Sequence, residues 1–258
     1  MNRSDTRPHR RRTIDVTGQP DSVESPYSVV QWHWQTYTLQ RQPYTVVALA
    51  SGVRAEPSAR IIARAAVDVV VDVGGAVDFL RSPDRLVEIA RVVVGMFGAY
   101  ASDSTPFWDF IIQRDPTRAP DIELLVVTAT IDGTVCLAWA GRWRAVVLTR
   151  SDHVHELDLT ARPPHAYAAT LSQVEDADSG LIHRDPAREG DQPALLAVLN
   201  AVAAEVLPTA AIGYALRWAP DTDTAAAWLR RWARRLTPTT SPPATHAIDA
   251  MAVVLSFP

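Results

Sequence analysis

The side chains that could carry out chemistry are few in this sequence and do not complete a motif. His153 and His155 are two residues apart on a predicted strand, so their side chains share one face, as a pair of metal ligands would. No nearby cysteine or Glu-x-x-His pattern completes such a site, and we interpret the two histidines as an exposed pair at a sheet edge. The sequence also has no Gly-x-Ser-x-Gly turn for a nucleophilic serine and no glycine-rich phosphate loop.

All 25 basic residues are arginines. The absence of lysine excludes a Schiff-base lysine and a phosphate-loop lysine, whereas every guanidinium is a planar fork suited to carboxylate or phosphate. The net charge of −4 argues against wholesale nucleic-acid binding. The single Cys136 lies in an apolar strand, where we expect a core side chain rather than a nucleophile or a ligand.

Residues 1–26 are polar and rich in Arg, Ser, Pro and Asp, which predicts a disordered arm ahead of a single domain at residues 27–258. The basic residues 1–12 are not followed by the apolar segment of a signal peptide. No apolar run is long enough to span a membrane. We therefore expect a cytoplasmic protein without membrane contact.

The hydrophobic patterns predict the elements that must position any site. Strands are predicted at 27–39, 44–50, 212–218 and 247–257, and in a meander at 123–159 whose first bend is Asp132-Gly133. Helices are predicted at 57–73, 82–97, 107–113, 193–206 and 224–236, and residues 161–190 are predicted as loop. Clustered strands with inserted helices indicate an α+β layered fold rather than a parallel array.

The second bend of the meander, Gly141-Arg142-Trp143-Arg144-Ala145, resembles a catalytic turn of the metal-dependent (PPM-type) serine/threonine phosphatases. In that family the turn reads Gly-Asp-Ser-Arg-Ala, so Arg142 occupies the aspartate position and Trp143 the serine position. The later pair Leu159-Thr160 also matches. The resemblance implies a four-layer α-β-β-α sandwich, in which two antiparallel sheets are flanked by helices. It also implies a pair of divalent metals, held by aspartates, that activate a bridging water.

The other metal-binding positions of that family are also changed. Its Ala-Asp-Gly-x-Gly-Gly segment corresponds to residues 50–55, with Ser51 in place of the aspartate, Gly52 kept, and Arg54 in place of a glycine. Its Asp-Asn opening of the last strand corresponds to Asp249-Ala250, and its Ser-Asp-Gly turn falls near 217–220, where no aspartate occurs. Asp249 is therefore the one expected ligand that remains, and a salt bridge from Arg142 or Arg54 to Asp249 is a hypothesis for what replaces the metals.

These residues support three hypotheses. The first is a catalytically silent PPM-type domain that acts as a regulatory or partner-binding module, with no catalytic residue, no cofactor and an unidentified protein partner. The second is a divergent phosphatase that binds Mn²⁺ or Mg²⁺ through aspartates. Those aspartates are Asp176, Asp178, Asp221, Asp223 and Asp249. The third is binding of a phosphorylated or nucleic-acid ligand by arginines that replaced the metals, Arg142 among them.

The helix predicted at 224–236 is amphipathic. Its apolar face carries Ala225, Trp228, Leu229, Trp232 and Leu236, and its opposite face carries Arg230, Arg231, Arg234 and Arg235. We interpret it as a helix that faces the core and has a solvated basic back. An acidic partner protein would use the same arginines.

Overall fold

The computed structural model describes residues 14–18, 29–39, 42–52, 57–75, 83–104, 121–131, 133–159, 178–182, 192–237 and 250–258. The strands within these ranges are β1 Asp15–Thr17, β2 Val30–Leu39, β3 Gln42–Gly52, β4 Ile122–Thr130, β5 Val135–Ala140, β6 Trp143–Thr149, β7 Val154–Leu159, β8 Asp178–Ile182, β9 Pro193–Asn200 and β10 Ala252–Ser256. The helices are α1 Pro57–Val73, α2 Pro83–Ser104, α3 Ala201–Val206, α4 Thr209–Trp218 and α5 Thr222–Leu236.

The strands form two five-stranded sheets in which every neighbouring pair is antiparallel. Sheet A has the order β1-β10-β9-β6-β7, and sheet B has the order β2-β3-β4-β5-β8. One apolar core lies between the sheets, a second lies between sheet B and helices α1 and α2, and a third lies between sheet A and helices α3 to α5. The molecule is therefore a four-layer α-β-β-α sandwich, as predicted.

Strand β4 shows why the meander is apolar on both faces. Leu125 and Val127 contribute to the core between the sheets, while Leu124 and Val126 point the other way, to α1 and α2. A strand that is covered on both sides reads as a continuous hydrophobic run rather than an alternation. The predicted hairpin that follows it is confirmed, with Gly133 at a φ of 87° in the turn between β4 and β5.

The amino-terminal part of the chain corrects one prediction. Residues 1–26 were expected to be a disordered arm, but Asp15–Thr17 forms an edge strand of sheet A with Val16 opposite Leu255. Ile14 and Val16 are buried against the core between the sheets. Three residues are too few to establish an alternating pattern, and their partner strand is at the other end of the sequence.

Three elements in the second half of the chain also differ from the prediction. Residues 193–206 were expected to be one helix, but Pro193–Asn200 is a central strand of sheet A and only Ala201–Val206 is helical. Residues 212–218 were expected to be a strand but lie in helix α4. Asp178–Ile182, in the expected loop, is the edge strand β8.

These three errors have a common physical origin. A short apolar run fits either a buried strand or a buried helix, and only tertiary pairing decides between them. Strand β9 lies between β6 and β10, so the Ala- and Leu-rich sequence completes two hydrogen-bonded ladders there. In α4 the buried residues Ile212, Ala215 and Leu216 follow helical spacing.

The predicted helix at 107–113, together with Arg54, Asp176 and Asp249, lies outside the described residues. Within the ranges that the structure describes, no helix has the length and apolar character needed to cross a membrane.

Candidate functional site

The candidate site lies where the ends of β3, β4 and β9 meet the turn between β5 and β6. Ser51, at the position of the family's metal-binding aspartate, is buried near the end of β3 and pairs in register with Glu123 of β4. Gly52 follows it and donates its backbone N–H to the carbonyl of Val29 at 3.1 Å. The structure therefore places a hydroxyl and a carboxylate on neighbouring strands of sheet B.

Asn200 connects this end of sheet B to sheet A. It is fully buried at the junction of β9 and α3, and its Nδ2 donates to Ser51 Oγ at 3.4 Å. Its Oδ1 accepts the backbone N–H of Ala203 at 3.3 Å, which caps α3, and that of Met251 at 2.9 Å, next to β10. One amide thus joins both sheets and a helix, so Asn200 fixes the geometry of the site.

Gly141 allows the turn to pass directly over Glu123. Its φ is 99°, in the region that glycine adopts without strain, and a Cβ at this position would lie 2.4 Å from Glu123 Cγ. The next residue, Arg142, donates its backbone N–H to Glu123 Oε1 at 3.3 Å. The glycine of the predicted turn therefore has a defined role, which is to let the backbone approach a buried carboxylate.

Arg142 is held between two glutamates. Its Nε lies 3.5 Å from Glu123 Oε1, and its Nη1 donates to Glu205 Oε1 of α3 at 2.7 Å. The Glu123 side chain is only 8% exposed, whereas those of Arg142 and Glu205 are 53% and 63% exposed. The guanidinium therefore covers the buried carboxylate from the solvent side. The hypothesised partner of Arg142, Asp249, is outside the described residues, so that salt bridge stays a prediction.

Burial controls the ionisation of Glu123. Desolvation raises the pKa of the Glu123 carboxyl above its ordinary value, and the hydrogen bonds and charge of Arg142 lower it again in part. Glu205 adds a smaller upward contribution to the same pKa. The charged form of Glu123 therefore depends on Arg142.

Arg144, which matches the family turn, uses its guanidinium to hold neighbouring elements together. Its Nη1 donates to the carbonyls of Ala204, at 3.1 Å, and Leu207, at the end of α3. Its Nη2 donates to Thr209 Oγ1 of α4 at 2.6 Å, and its Nε donates to Glu156 Oε1 of β7 at 2.8 Å. The planar fork thus ties together two helices and a strand.

A cleft of about 480 Å³ opens beside these residues, between the start of β6, β7 and α3. It is lined by Arg142, Trp143, Arg144, Glu156, Ala201, Ala204 and Glu205. Its two arginines are both paired with glutamates that line the same cleft. The positive charges of the cleft are therefore balanced by the negative charges of its own glutamates.

The donor set described here does not fit a pair of divalent cations. Two metals need several carboxylates for charge and geometry. Glu123 is the buried carboxylate among the described residues, and it already lies against a guanidinium. Across the ranges that the structure describes, no three His, Cys, Asp or Glu side chains come together as a metal site would require.

The second hypothesis named five aspartates as metal ligands. The three of them that the structure describes do not lie at the candidate site. Asp221 caps α5, where its Oδ1 accepts the backbone N–H of Thr224 at 2.7 Å. The side-chain hydrogen bond of Thr224, followed by this backbone bond, lowers the pKa of the Asp221 carboxyl. Asp223 lies exposed in the first turn of the same helix. Asp178 begins β8, opposite Trp139 of β5. Asp176 and Asp249 are outside the described residues.

The histidine pair of the sequence analysis lies elsewhere. His153 and His155 are exposed at β7, an edge strand of sheet A, with their ring centroids 6.3 Å apart. His153 Nδ1 is 2.9 Å from Ser151 Oγ in the preceding turn. This placement agrees with the interpretation of an exposed edge pair.

Two contributors to the site were not predicted from the sequence, although each has a signal. Glu123 is the one charged residue in the apolar strand Ile122–Thr130, and such a residue is buried only with a partner. Asn200 stands immediately before a helix, the position at which asparagine caps the first turn. The long-range bond from Asn200 to Ser51, 149 residues away, has no local signature.

Comparison with known proteins identifies the class of fold. No protein-family model matches the sequence, and no curated protein matches it either. The fold does match solved structures. It is similar to Stp1, a serine/threonine phosphatase from Staphylococcus aureus, at 10% identity and a TM-score of 0.61, over 96% of this chain and 95% of that one. The S. agalactiae serine/threonine phosphatase matches at 15% identity and a TM-score of 0.60, over 95% and 98% of the two chains.

A third similar structure is the Mycobacterium tuberculosis serine/threonine phosphatase PstP, at 13% identity and a TM-score of 0.58, over 95% of this chain and 98% of that one. These neighbours are PPM-type serine/threonine phosphatases. The chain therefore has the PPM phosphatase fold, over nearly its whole length.

Proposed function

We propose that this chain is a catalytically silent member of the PPM phosphatase fold that acts as a regulatory or partner-binding module. One observation carries the proposal. At the position of the metal-binding aspartate, the hydroxyl of Ser51 is bonded to Asn200, and the neighbouring Glu123 is paired with Arg142.

Charge balance at the site supports the proposal. Two divalent cations bring four positive charges, which several carboxylates must balance. In this site a guanidinium stands where the resemblance places a carboxylate, and arginine cannot lose its proton to relieve repulsion. In this proposal Arg142, which lies against Glu123, supplies the positive charge that a metal would otherwise bring.

Hydrolysis of p-nitrophenyl phosphate and of a phosphoserine peptide, with Mn²⁺ or Mg²⁺ present, tests this proposal. We expect rates equal to those of buffer with metal. A metal-dependent rate that increases in proportion to protein concentration, and disappears on chelation, would retire the proposal.

The second candidate is a divergent metal-dependent phosphatase. It is supported by the serine/threonine phosphatases that share the fold, and by the similar structure of RsbX, which was solved in complex with magnesium. It predicts that Asp249→Ala abolishes activity. Asp15→Ala, an exposed carboxylate on the edge strand β1, is the matched control. Activity that is unchanged in Asp249→Ala would end this candidate.

The arginine-based ligand site receives less support from the geometry. Arg142 is engaged by two glutamates, and Arg144 is engaged by Glu156, Thr209 and two carbonyls. A phosphate would have to displace these contacts. Inorganic phosphate affinity that survives a chelator and falls in Arg142→Ala would revive it.

A further inference from the structure

An aromatic patch covers the outer face of α4 and α5. It consists of Tyr214, Trp218, Trp228, Trp232 and Leu236. Ring centroids are 6.4 Å apart for Tyr214 and Trp218, 6.3 Å for Tyr214 and Trp232, and 5.8 Å for Trp228 and Trp232. These separations are within the range of interacting aromatic pairs, so the four rings form one continuous surface across two helices.

Three side chains of the patch are exposed, whereas Trp228 and Trp232 are half-buried against the core beneath the helices. Trp218 is 67% exposed, Leu236 is 54% exposed and Tyr214 is 53% exposed, although the same helices bury Ile212, Leu216 and Leu229 against sheet A. Large contiguous apolar surfaces are uncommon on monomers and mark contact sites. Tryptophan and tyrosine are also the residues that dominate the centres of protein interfaces.

The structure corrects the expected division of α5 into an apolar face and a solvated basic back, because Arg230 is buried and two other arginines border the patch. At about 100° per residue, Arg235 lies about 20° from Trp228 around the helix axis, and Arg231 lies about 60° from it on the same side. Both arginines are exposed. Residues 209–237 contain five arginines and two aspartates, a net charge of +3, whereas the whole chain carries −4, which leaves −7 for the rest. The segment that carries the patch therefore has a net positive charge in a chain whose other residues sum to a negative one.

We propose that the aromatic patch, with Arg231 and Arg235, docks an acidic protein segment that presents apolar side chains to the rings and carboxylates to the guanidiniums. The inference rests on the proposed partner-binding role, not on the loss of catalysis. Charge complementarity supports it, because an acidic partner is attracted to this face and repelled by the remainder of the molecule. Planar guanidiniums also bind carboxylates in a bidentate manner.

Charge also distinguishes this partner from a second copy of the chain. A two-fold dimer through the patch would bring the arginines of one copy toward those of the other, since the same surface is used twice. Such like-charge contact disfavours self-association. The patch is separate from the candidate site, because Thr209, bonded to Arg144, and Trp218 are at opposite ends of α4, about 13 Å apart along the axis.

Fluorescence anisotropy with two labelled synthetic peptides tests the proposal. One peptide forms an amphipathic helix with Leu and Phe on one face and Glu on the other, and the second carries Lys in place of Glu. We expect saturable binding of the Glu peptide, weaker at higher salt, and binding of the Lys peptide at least tenfold weaker. Trp218→Ala and the double variant Arg231→Glu/Arg235→Glu should each weaken the Glu peptide at least tenfold.

Two matched variants serve as controls. Trp34→Ala removes a partly exposed tryptophan from sheet B, and Arg85→Glu reverses an exposed charge on α2; both should leave binding unchanged. Failure of the Glu peptide to bind, equal binding of both peptides, or indifference to Trp218→Ala would overturn the inference.

Two further measurements identify the other possible occupants. Cosedimentation with phosphatidylcholine vesicles containing one-fifth phosphatidylserine reports a lipid surface, and sedimentation velocity reports self-association. Either result, abolished by Trp218→Ala, would overturn the protein-segment proposal. Phosphatase turnover is measured on the same variants, so an active enzyme refutes the proposed function without deciding the docking surface.

Discussion

At the residue scale, the turn at Gly141 is the most constrained point of the candidate site. The glycine has a positive φ and no room for a side chain above Glu123. The match of Gly141 to the family turn was visible in the sequence, but its reason was not, because the carboxylate beneath it comes from another strand.

Substitution of Gly141 by alanine should therefore destabilise the protein. A strained backbone and a Cβ 2.4 Å from Glu123 Cγ together predict a loss of about 2–4 kcal/mol in the free energy of unfolding. Urea denaturation measures it. Gly95→Ala in α2 is the control, since no atom lies within 4 Å of the added Cβ, and it should raise the same free energy by about 0.5–1 kcal/mol. Equal effects of both substitutions would contradict this view of the turn.

The pairing of Glu123 with Arg142 gives a pH-dependent prediction. Burial raises the folded-state pKa of Glu123 and Arg142 opposes this, so Arg142→Met should raise that pKa further. A raised carboxyl pKa means that the folded state binds more protons, so stability falls as pH rises from the unfolded pKa through the folded pKa.

The stability difference between wild type and Arg142→Met should thus be larger at pH 7.5 than at pH 4, where the carboxyl is protonated in both. Because Arg142 is half exposed, we expect about 1–2 kcal/mol at the higher pH, below the cost of breaking a fully buried pair. In the background Glu123→Gln this pH dependence should become much smaller, leaving only what the exposed pair of Arg142 with Glu205 contributes. A difference independent of pH would show that the pair does not control ionisation.

At the element scale, the layers could be predicted from the sequence, but strands β1, β8 and β9 and helix α4 could not. The β2–β3 hairpin, the meander and helix α1 follow clear periodicities and were predicted correctly. Strand β9 and helix α4 were interchanged in type, because their short apolar runs do not distinguish the two structures.

Much of the site depends on those two elements. Asn200 ends β9, and Thr209 begins α4. When the types of β9 and α4 are predicted wrongly, the hydrogen-bond partners of Ser51 and Arg144 cannot be found. This holds even though the sequence identifies Ser51 and Arg144 themselves as site residues. The substitutions at Ser51 and Arg142 could be read from the sequence, whereas Glu123 and Asn200 required the register of the sheets.

Asn200 links β3, α3 and the residue before β10 through its side-chain hydrogen bonds. Asn200→Ala removes the cap of α3 and leaves the buried Met251 N–H without its acceptor, so we expect a loss of about 2–4 kcal/mol in the free energy of unfolding. Asp221→Ala removes an exposed helix cap of the same kind on α5 and should lower the free energy of unfolding by less. Chemical denaturation compares them. If Asn200→Ala costs no more than Asp221→Ala, the link between the sheets contributes nothing.

At the scale of the whole molecule, the chain shares its sandwich fold with phosphatases. The described residues of its candidate site, however, do not form the set of carboxylates that two divalent metals require. The fold places the ends of both sheets together, and in this chain a serine, an asparagine and a glutamate–arginine pair meet there. The outer face of α4 and α5 instead concentrates aromatic surface and positive charge. On the proposed function, the molecule works by contact rather than by hydrolysis.

Calorimetric titration of the full chain with Mn²⁺ tests this central claim most directly. We expect only the heat of dilution, with no saturable binding at submillimolar metal and no change after chelator treatment. A two-site isotherm that saturates in that range, and is abolished by Asp249→Ala, would contradict it.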